Sequence, residues 1–138
     1  MKFKEKINTW IFDLDNTLYS ADSGIFQQVH RLMGEFISNN LNMEISEAKK
    51  LQSKYYKQHG TTLRGMMDNH GVDPDYFLDE VHRLDYSIVG PNQLLNDELE
   101  KLEGRKIIYT NANEKHVLDV LKRINLSNYF DEIFDIKL

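Results

Sequence analysis

The 138-residue chain has no cysteine, no long apolar segment and no excess of basic residues. Without cysteine it forms neither a disulfide framework nor a thiolate nucleophile. No stretch is long and apolar enough to cross a bilayer, and the N-terminus lacks a secretory hydrophobic region. We therefore expect a cytoplasmic protein without a membrane partner. The formal net charge of −5 argues against a nucleic-acid polymer as partner, because such partners favour basic surfaces.

An apolar run near the start ends in two acidic residues. In the stretch WIFDLDNT, which begins at Trp10, three bulky residues typical of a buried strand precede Asp13 and Asp15. Carboxylates are depleted in strands and costly to bury, so we expect the pair at the strand end, facing a cleft. Open α/β sheets bind their ligands at this edge.

Apolar residues at helical spacing dominate the chain from about residue 21 to residue 90. In this segment Ser46 is expected to cap a helix, and Asp73-Pro74 is a typical helix start. Beyond it, RKIIYT (105–110) and EIFDI (132–136) are predicted strands on either side of a helix, which favours a right-handed parallel crossover. We predict a doubly wound, Rossmann-like parallel α/β core of residues 1–20 and 91–138. An all-helical cap, residues 21–90, is inserted after the first strand.

The predicted core is small for this architecture. Removing the cap leaves about 70 residues, and a domain of that size buries only about 60% of the surface of its unfolded chain. Three parallel strands are also few for a sheet that needs both faces covered. We therefore expect an incomplete sheet, belonging to a truncated version or fragment of a longer protein.

Asp13 and Asp15 suit a reaction that needs both a nucleophile and a proton carrier. One ionised carboxylate can attack an electrophile, while the other donates and accepts a proton if its pKa is raised. Mg²⁺ is the expected cofactor, since it binds one or two carboxylates together with water and substrate phosphate. Thr17 and Thr110 offer hydroxyl groups to phosphate oxygens.

Two motifs resemble those of the haloacid dehalogenase superfamily. WIFDLDNTLY is similar to its first motif, a hydrophobic strand ending in DxDx(T/V), and IIYTNAN resembles its second motif, a strand ending in Thr or Ser. The segments YYKQHGTTLRGMM and TNANEKHVLDVLKRI together resemble the pyrimidine 5′-nucleotidase-like branch of these phosphatases. The resemblance covers nearly the whole chain, from about Thr9 to Ile136.

The resemblance implies a Mg²⁺-dependent phosphomonoester hydrolase acting through an aspartyl-phosphate. Asp13 would be the nucleophile, and Asp15 would protonate the leaving alkoxide and then activate the hydrolytic water. Thr110, with the backbone around Asn111, would bind the phosphate. The Asp13 carboxylate and the Asp15 backbone carbonyl would bind Mg²⁺. The implied substrate is a pyrimidine nucleotide or a similar small phosphate ester.

Several further residues are candidates for substrate recognition. Arg64 lies among apolar residues and could reach from the cap into the cleft, or could be an ordinary arginine on a helix surface. Tyr55 and Tyr56 could stack on a base or form the core of the cap. The five histidines show no paired metal-ligand spacing, and each is expected to be a surface or interhelix residue. His116, one turn after the second predicted strand, has a slightly better claim than the others to a place in the site.

The resemblance also predicts what the chain lacks. The superfamily has a third motif, a lysine after the third strand, and a fourth motif with one or more aspartates after the next strand. Leu138 follows the third predicted strand directly, and Lys137 belongs to that strand's end. The expectation is a chain truncated before both motifs, with impaired activity. The strand of Asp13 would then lie at an exposed sheet edge through which an oligomer could form.

Two other functions stay open on these residues. One is a non-catalytic remnant or fragment that folds or binds only with a partner. The other is a phosphotransferase, which would form the same aspartyl-phosphate and pass it to a different acceptor. A receiver-like phospho-acceptor domain also combines acids, a threonine and a doubly wound sheet, but the long helical insertion argues strongly against it.

Overall fold

The computed structural model describes residues 7–137, which form a parallel sheet and six α-helices. The strands are β1 (Thr9–Phe12), β2 (Arg105–Tyr109) and β3 (Glu132–Phe134). The helices are α1 (Ile25–Leu41), α2 (Ile45–His59), α3 (Thr62–His70), α4 (Pro74–Val81), α5 (Gln93–Lys101) and α6 (Glu114–Arg123). Two short 3-10 turns cover Ala21–Ser23 and Tyr86–Ile88. Of the helices within residues 7–137, none has the length and apolar character needed to span a membrane.

The three strands lie in the order β1-β2-β3, and both pairs are parallel. Phe12 is opposite Ile108, and Ile108 is opposite Ile133. Arg105 also pairs with Glu132 across β2 and β3. The prediction of an α/β fold with a parallel sheet, and with a helical segment between the first two strands, is confirmed.

The chain divides into two compact units. The first contains the residues through Phe26 and those from Asp85 onward, and the second is Gln27–Leu84. In the first unit, α6 is strongly amphipathic because its apolar residues recur three and four positions apart. The fully buried apolar side chains of α6, the sheet and the loops of this unit are Leu14, Ile108, Val117, Val120, Leu121 and Leu126.

The second unit is entirely helical within the described residues. α2 and α3 approach so closely that a Cβ on Gly65 would lie 2.4 Å from both Cβ and Cγ of Tyr55. The rings of Phe36 and Phe77 meet edge to face, with centroids 4.9 Å apart. This unit therefore has an aromatic core of its own.

Local sequence signals set most helix ends in the second unit. The Asp73 side chain accepts a hydrogen bond from the backbone N–H of Tyr76, and Pro74 is the first helical residue, as predicted. α3 is closed by Gly71, whose φ of 61° is in the left-handed region. The prediction that Ser46 caps α2 is wrong, because α2 begins at Ile45 and its N-cap is Glu44, which makes no side-chain capping bond.

Candidate active site

The turn after β1 presents the two carboxylates in different environments. Leu14 is fully buried, and its carbonyl accepts the backbone N–H groups of Thr17 and Leu18 at 3.2 and 3.0 Å. Asp13, which precedes Leu14, is exposed to solvent, and its Oδ1 accepts the N–H of Leu14 at 2.8 Å. Asp15 follows Leu14, and its side chain is only 17% exposed.

Two side chains bond the same oxygen of Asp15. The Tyr19 hydroxyl donates to Oδ1, and Nε2 of His116 lies 2.8 Å from that oxygen. The His116 side chain is completely buried. Both hydrogen bonds end on Oδ1, so they define the orientation of the Asp15 carboxyl group.

The other nitrogen of His116 meets a second tyrosine. Nδ1 lies 2.8 Å from the hydroxyl of Tyr86, in the short turn that follows the second unit. Burial, with smaller contributions from the carboxylates of Asp119 and Asp15, raises the pKa of Tyr86. Burial, together with Asp15, likewise raises the pKa of Tyr19. Both phenols therefore keep their protons at neutral pH and can donate hydrogen bonds.

The carboxyl end of β2 lies at the same edge of the sheet. Because β1 and β2 are parallel, with Phe12 opposite Ile108, the residues that follow each strand share this edge. Thr110 is buried, and its Oγ1 accepts the N–H of Ala112 at 3.2 Å. Asn111 is exposed. The topology therefore brings the segment Asp13–Thr17 and the segment 110–113 to one edge.

α6 begins at this edge. The Asn113 side chain accepts the N–H of His116 at 3.1 Å and caps the helix. Asp135, beyond β3, also accepts a backbone N–H at this end, from Glu114 at 3.0 Å. The same carboxylate accepts the N–H of Lys137 at 3.0 Å. Lys137 is thus part of the turn after β3.

The remaining candidates lie in the second unit. Arg64 is exposed on α3, and its Nε is 3.1 Å from Asp68. Tyr55 is buried, and its hydroxyl is 2.6 Å from Nε2 of His70. Tyr56 is 64% exposed. Of the two interpretations of Tyr55, its burial favours a core position.

Sequence reasoning gave His116 only a slightly better claim than the other histidines, and it missed both tyrosines, Tyr19 bonded to Asp15 and Tyr86 bonded to His116. Tyr19 follows Asp15 by four residues, and that spacing within a turn is a signal that could have identified it. Tyr86 has no such signal, because its proximity to His116 depends on how the chain returns from the second unit.

Comparisons with known proteins agree with the motif at the end of β1. A model of the family described as haloacid dehalogenase-like hydrolase matches residues 10–137. Phosphate metabolism protein 8 of Saccharomyces cerevisiae is 26% identical over 136 residues, covering 90% of this chain and 42% of the yeast protein. The chain thus spans about two fifths of the length of this curated relative.

Proposed function

The chain belongs to the haloacid dehalogenase-like hydrolase family, and we propose that it hydrolyses small phosphate monoesters through an aspartyl-phosphate on Asp13. The observation that carries this proposal is the division between the two carboxylates. Asp13 is exposed at the strand end, whereas Asp15 is partly buried and bonded by Tyr19 and His116. The yeast relative's name, which refers to phosphate metabolism, supports the same class of substrate.

The reaction proceeds in two steps. A carboxylate oxygen of Asp13 attacks phosphorus, the bond from phosphorus to the ester oxygen breaks, and Asp15 gives its proton to the leaving alkoxide. Asp15 then takes a proton from a water molecule that attacks the phosphoenzyme, which releases inorganic phosphate and restores the Asp13 carboxylate. The exposed position of Asp13 supports the first role, and the held carboxyl group of Asp15 supports the second.

The oxygen donors at the sheet edge are of the type that Mg²⁺ prefers. The Asp13 carboxylate and the Asp15 backbone carbonyl would hold the ion. Within residues 7–137 no cluster of three or more histidine or acidic side chains could hold a metal, so water and substrate oxygens would complete the coordination. Bound there, Mg²⁺ would neutralise charge on the transferring phosphoryl group.

The phosphate group would be held by Thr110, Thr17 and the backbone at Asn111. In its bond with Ala112 the Thr110 hydroxyl acts as the acceptor, so this bond does not consume its hydrogen. Thr17 is exposed in the turn after β1. Support for this assignment is that both segments follow parallel strands at one edge of the sheet.

We assign the helical unit Gln27–Leu84 the role of a substrate-recognising cap, with Arg64 as its contact to substrate. The similarity of YYKQHGTTLRGMM to the pyrimidine 5′-nucleotidase-like branch favours a pyrimidine nucleotide as substrate. The pair between Arg64 and Asp68 is exposed and weak, so the guanidinium can exchange Asp68 for a phosphate or a base at little cost.

A second candidate is a binding role that depends on assembly. Ile11 of β1 is 70% exposed, and within the described residues β1 is an edge strand. Exposed edge strands with apolar side chains associate readily. A chain that binds phosphate esters without hydrolysing them, or that needs a partner at this edge, would be inactive alone.

The decisive experiment is Mg²⁺-dependent phosphate release from UMP and CMP by the purified chain, with glycerol phosphate as a non-nucleotide substrate. Asp13→Asn should abolish release. Asp22→Asn, which alters an exposed acid in the same N-terminal segment, is the matched control and should leave it unchanged. Release that persists in Asp13→Asn would refute the proposal. The assay is repeated with an added alcohol as acceptor. If the nucleotide is then consumed without release of inorganic phosphate, the phosphotransferase is favoured.

A further inference from the structure

We propose that His116 and Tyr86 are positioning residues that hold Asp15 in the orientation required for proton transfer. This inference rests on the proposed function, because it concerns the group that moves the proton. It goes beyond the acid pair to a relay across the sheet edge, which we define as Tyr86, His116 and Asp15. Neither His116 nor Tyr86 contacts the reacting phosphate in this assignment.

The first support is the way both ring nitrogens of His116 are used. The residue is 1% exposed, with Nε2 at 2.8 Å from Asp15 Oδ1 and Nδ1 at 2.8 Å from the Tyr86 hydroxyl. A buried imidazole with a specific partner on each nitrogen cannot rotate or flip without losing both bonds. The ring is therefore a rigid link between Tyr86 and Asp15.

The second support is the direction of the hydrogen bonds. An ionised carboxylate only accepts, so the proton of a neutral His116 is on Nε2 when Asp15 is ionised. Nδ1 is then an acceptor, and the Tyr86 hydroxyl is the donor that matches it. The Asp15 carboxylate thus sets the tautomer, and the Tyr86 hydroxyl stabilises it by donating to Nδ1.

The third support is the anchoring of Tyr86. Arg123, in the last turn of α6, donates from Nε to the carbonyls of Tyr86 and Val89 at 3.1 and 2.6 Å, and from Nη2 to that of Ser87 at 3.1 Å. His116 is in the first turn of the same helix. One helix therefore carries the imidazole at one end and fixes the backbone of its tyrosine partner with the other.

The consequence concerns the torsion of the Asp15 carboxyl group. This terminal torsion is broad and nearly two-fold, so an unrestrained carboxylate offers either oxygen. His116 and Tyr19 both bond Oδ1, so the two bonds together hold the carboxyl group in one of its two orientations. A misplacement of about 1 Å at a reacting group can cost on the order of 100-fold in rate.

The test compares Tyr86→Phe and His116→Gln with Tyr129→Phe, which removes a phenol of the same unit that is outside the relay. Tyr86→Phe deletes one oxygen, and we expect kcat to fall about tenfold with KM within about twofold. His116→Gln should lower kcat by about 10- to 100-fold. Tyr129→Phe should leave both constants unchanged. Equal kcat values in all three variants would overturn the proposal while leaving the proposed function intact.

A second measurement does not depend on turnover. In protein labelled with ¹⁵N-histidine and ¹³C-aspartate, we expect His116 to show a protonated Nε2 and an unprotonated Nδ1. Tyr86→Phe should shift these signals and that of the Asp15 carboxyl carbon, whereas Tyr129→Phe should not. If the wild-type chain releases no phosphate, the proposed function fails, and this measurement still decides whether Tyr86 and His116 orient Asp15. Unchanged signals in Tyr86→Phe would overturn the relay.

Discussion

Asp15 and His116 are 101 positions apart in the chain, yet Oδ1 of the carboxylate lies 2.8 Å from Nε2 of the imidazole. The contact follows from the parallel pairing of β1 and β2, which brings the turn after β1 and the start of α6 to one edge of the sheet. The two acids of the DxD motif therefore have different environments. Asp13 is exposed to solvent, whereas Asp15 accepts hydrogen bonds from buried donors. This difference supports the proposed roles of Asp13 as nucleophile and Asp15 as proton carrier.

Substitution of Arg64 tests whether the helical unit contacts the substrate. We expect Arg64→Ala to raise KM for UMP about tenfold, since a charged hydrogen bond to substrate contributes about 1.5–3 kcal/mol. Arg31→Ala is the matched control, because Arg31 forms a similarly exposed i,i+4 pair with Glu35 in the same unit. Each substitution should change the free energy of unfolding by less than about 1 kcal/mol. An unchanged KM in Arg64→Ala would leave Arg64 as a surface residue.

Gly65 is the point of closest approach between α2 and α3. Gly65→Ala would place a Cβ 2.4 Å from the Tyr55 side chain, and we expect it to lower the free energy of unfolding by about 1–3 kcal/mol. Gly34→Ala, in α1, meets its nearest atom at 3.4 Å and should instead be neutral or stabilising by up to about 1 kcal/mol. Urea denaturation followed by circular dichroism measures both. Equal stabilities would show that the helices can move apart freely.

Arg123 should be important for the order of the segment that carries Tyr86. Arg123→Ala removes donors to three carbonyls, and we expect a loss of about 1–3 kcal/mol together with faster amide exchange in residues 85–89. Arg123→Lys should recover only part of this, since an ammonium group cannot reproduce the planar arrangement of donors. Hydrogen exchange resolved by mass spectrometry separates this local effect from global unfolding. Uniform acceleration along the chain would contradict it.

The edge strand β1 should control self-association. Ile11→Lys places a charge on the exposed edge strand, and we expect it to reduce any oligomer seen by sedimentation velocity. Leu94→Lys is the control, because Leu94 is 71% exposed, close to the 70% of Ile11, but lies on a helix. If both substitutions shift the sedimentation profile equally, general solubility is the cause. If neither does, β1 is not the contact.

Much of the local structure could be predicted because it depends on neighbours in the sequence. The apolar run before Asp13 forms β1, the run 105–110 forms β2 except for its last residue, and Asp73 followed by Pro74 begins a helix. The prediction of a cap at Ser46 was wrong, because α2 begins at Ile45 without any side-chain cap. The start of this helix therefore depends on more than a capping residue.

The amino-acid sequence by itself determined the two strand-end motifs, the helical insertion and the family, since these depend on residue type and spacing along the chain. Only the tertiary structure decided which oxygen of Asp15 is held, that His116 and Tyr86 form the relay, and that Tyr55 is a buried core residue. Such contacts join segments far apart in sequence, and their distances depend on strand pairing and side-chain packing rather than on any local pattern.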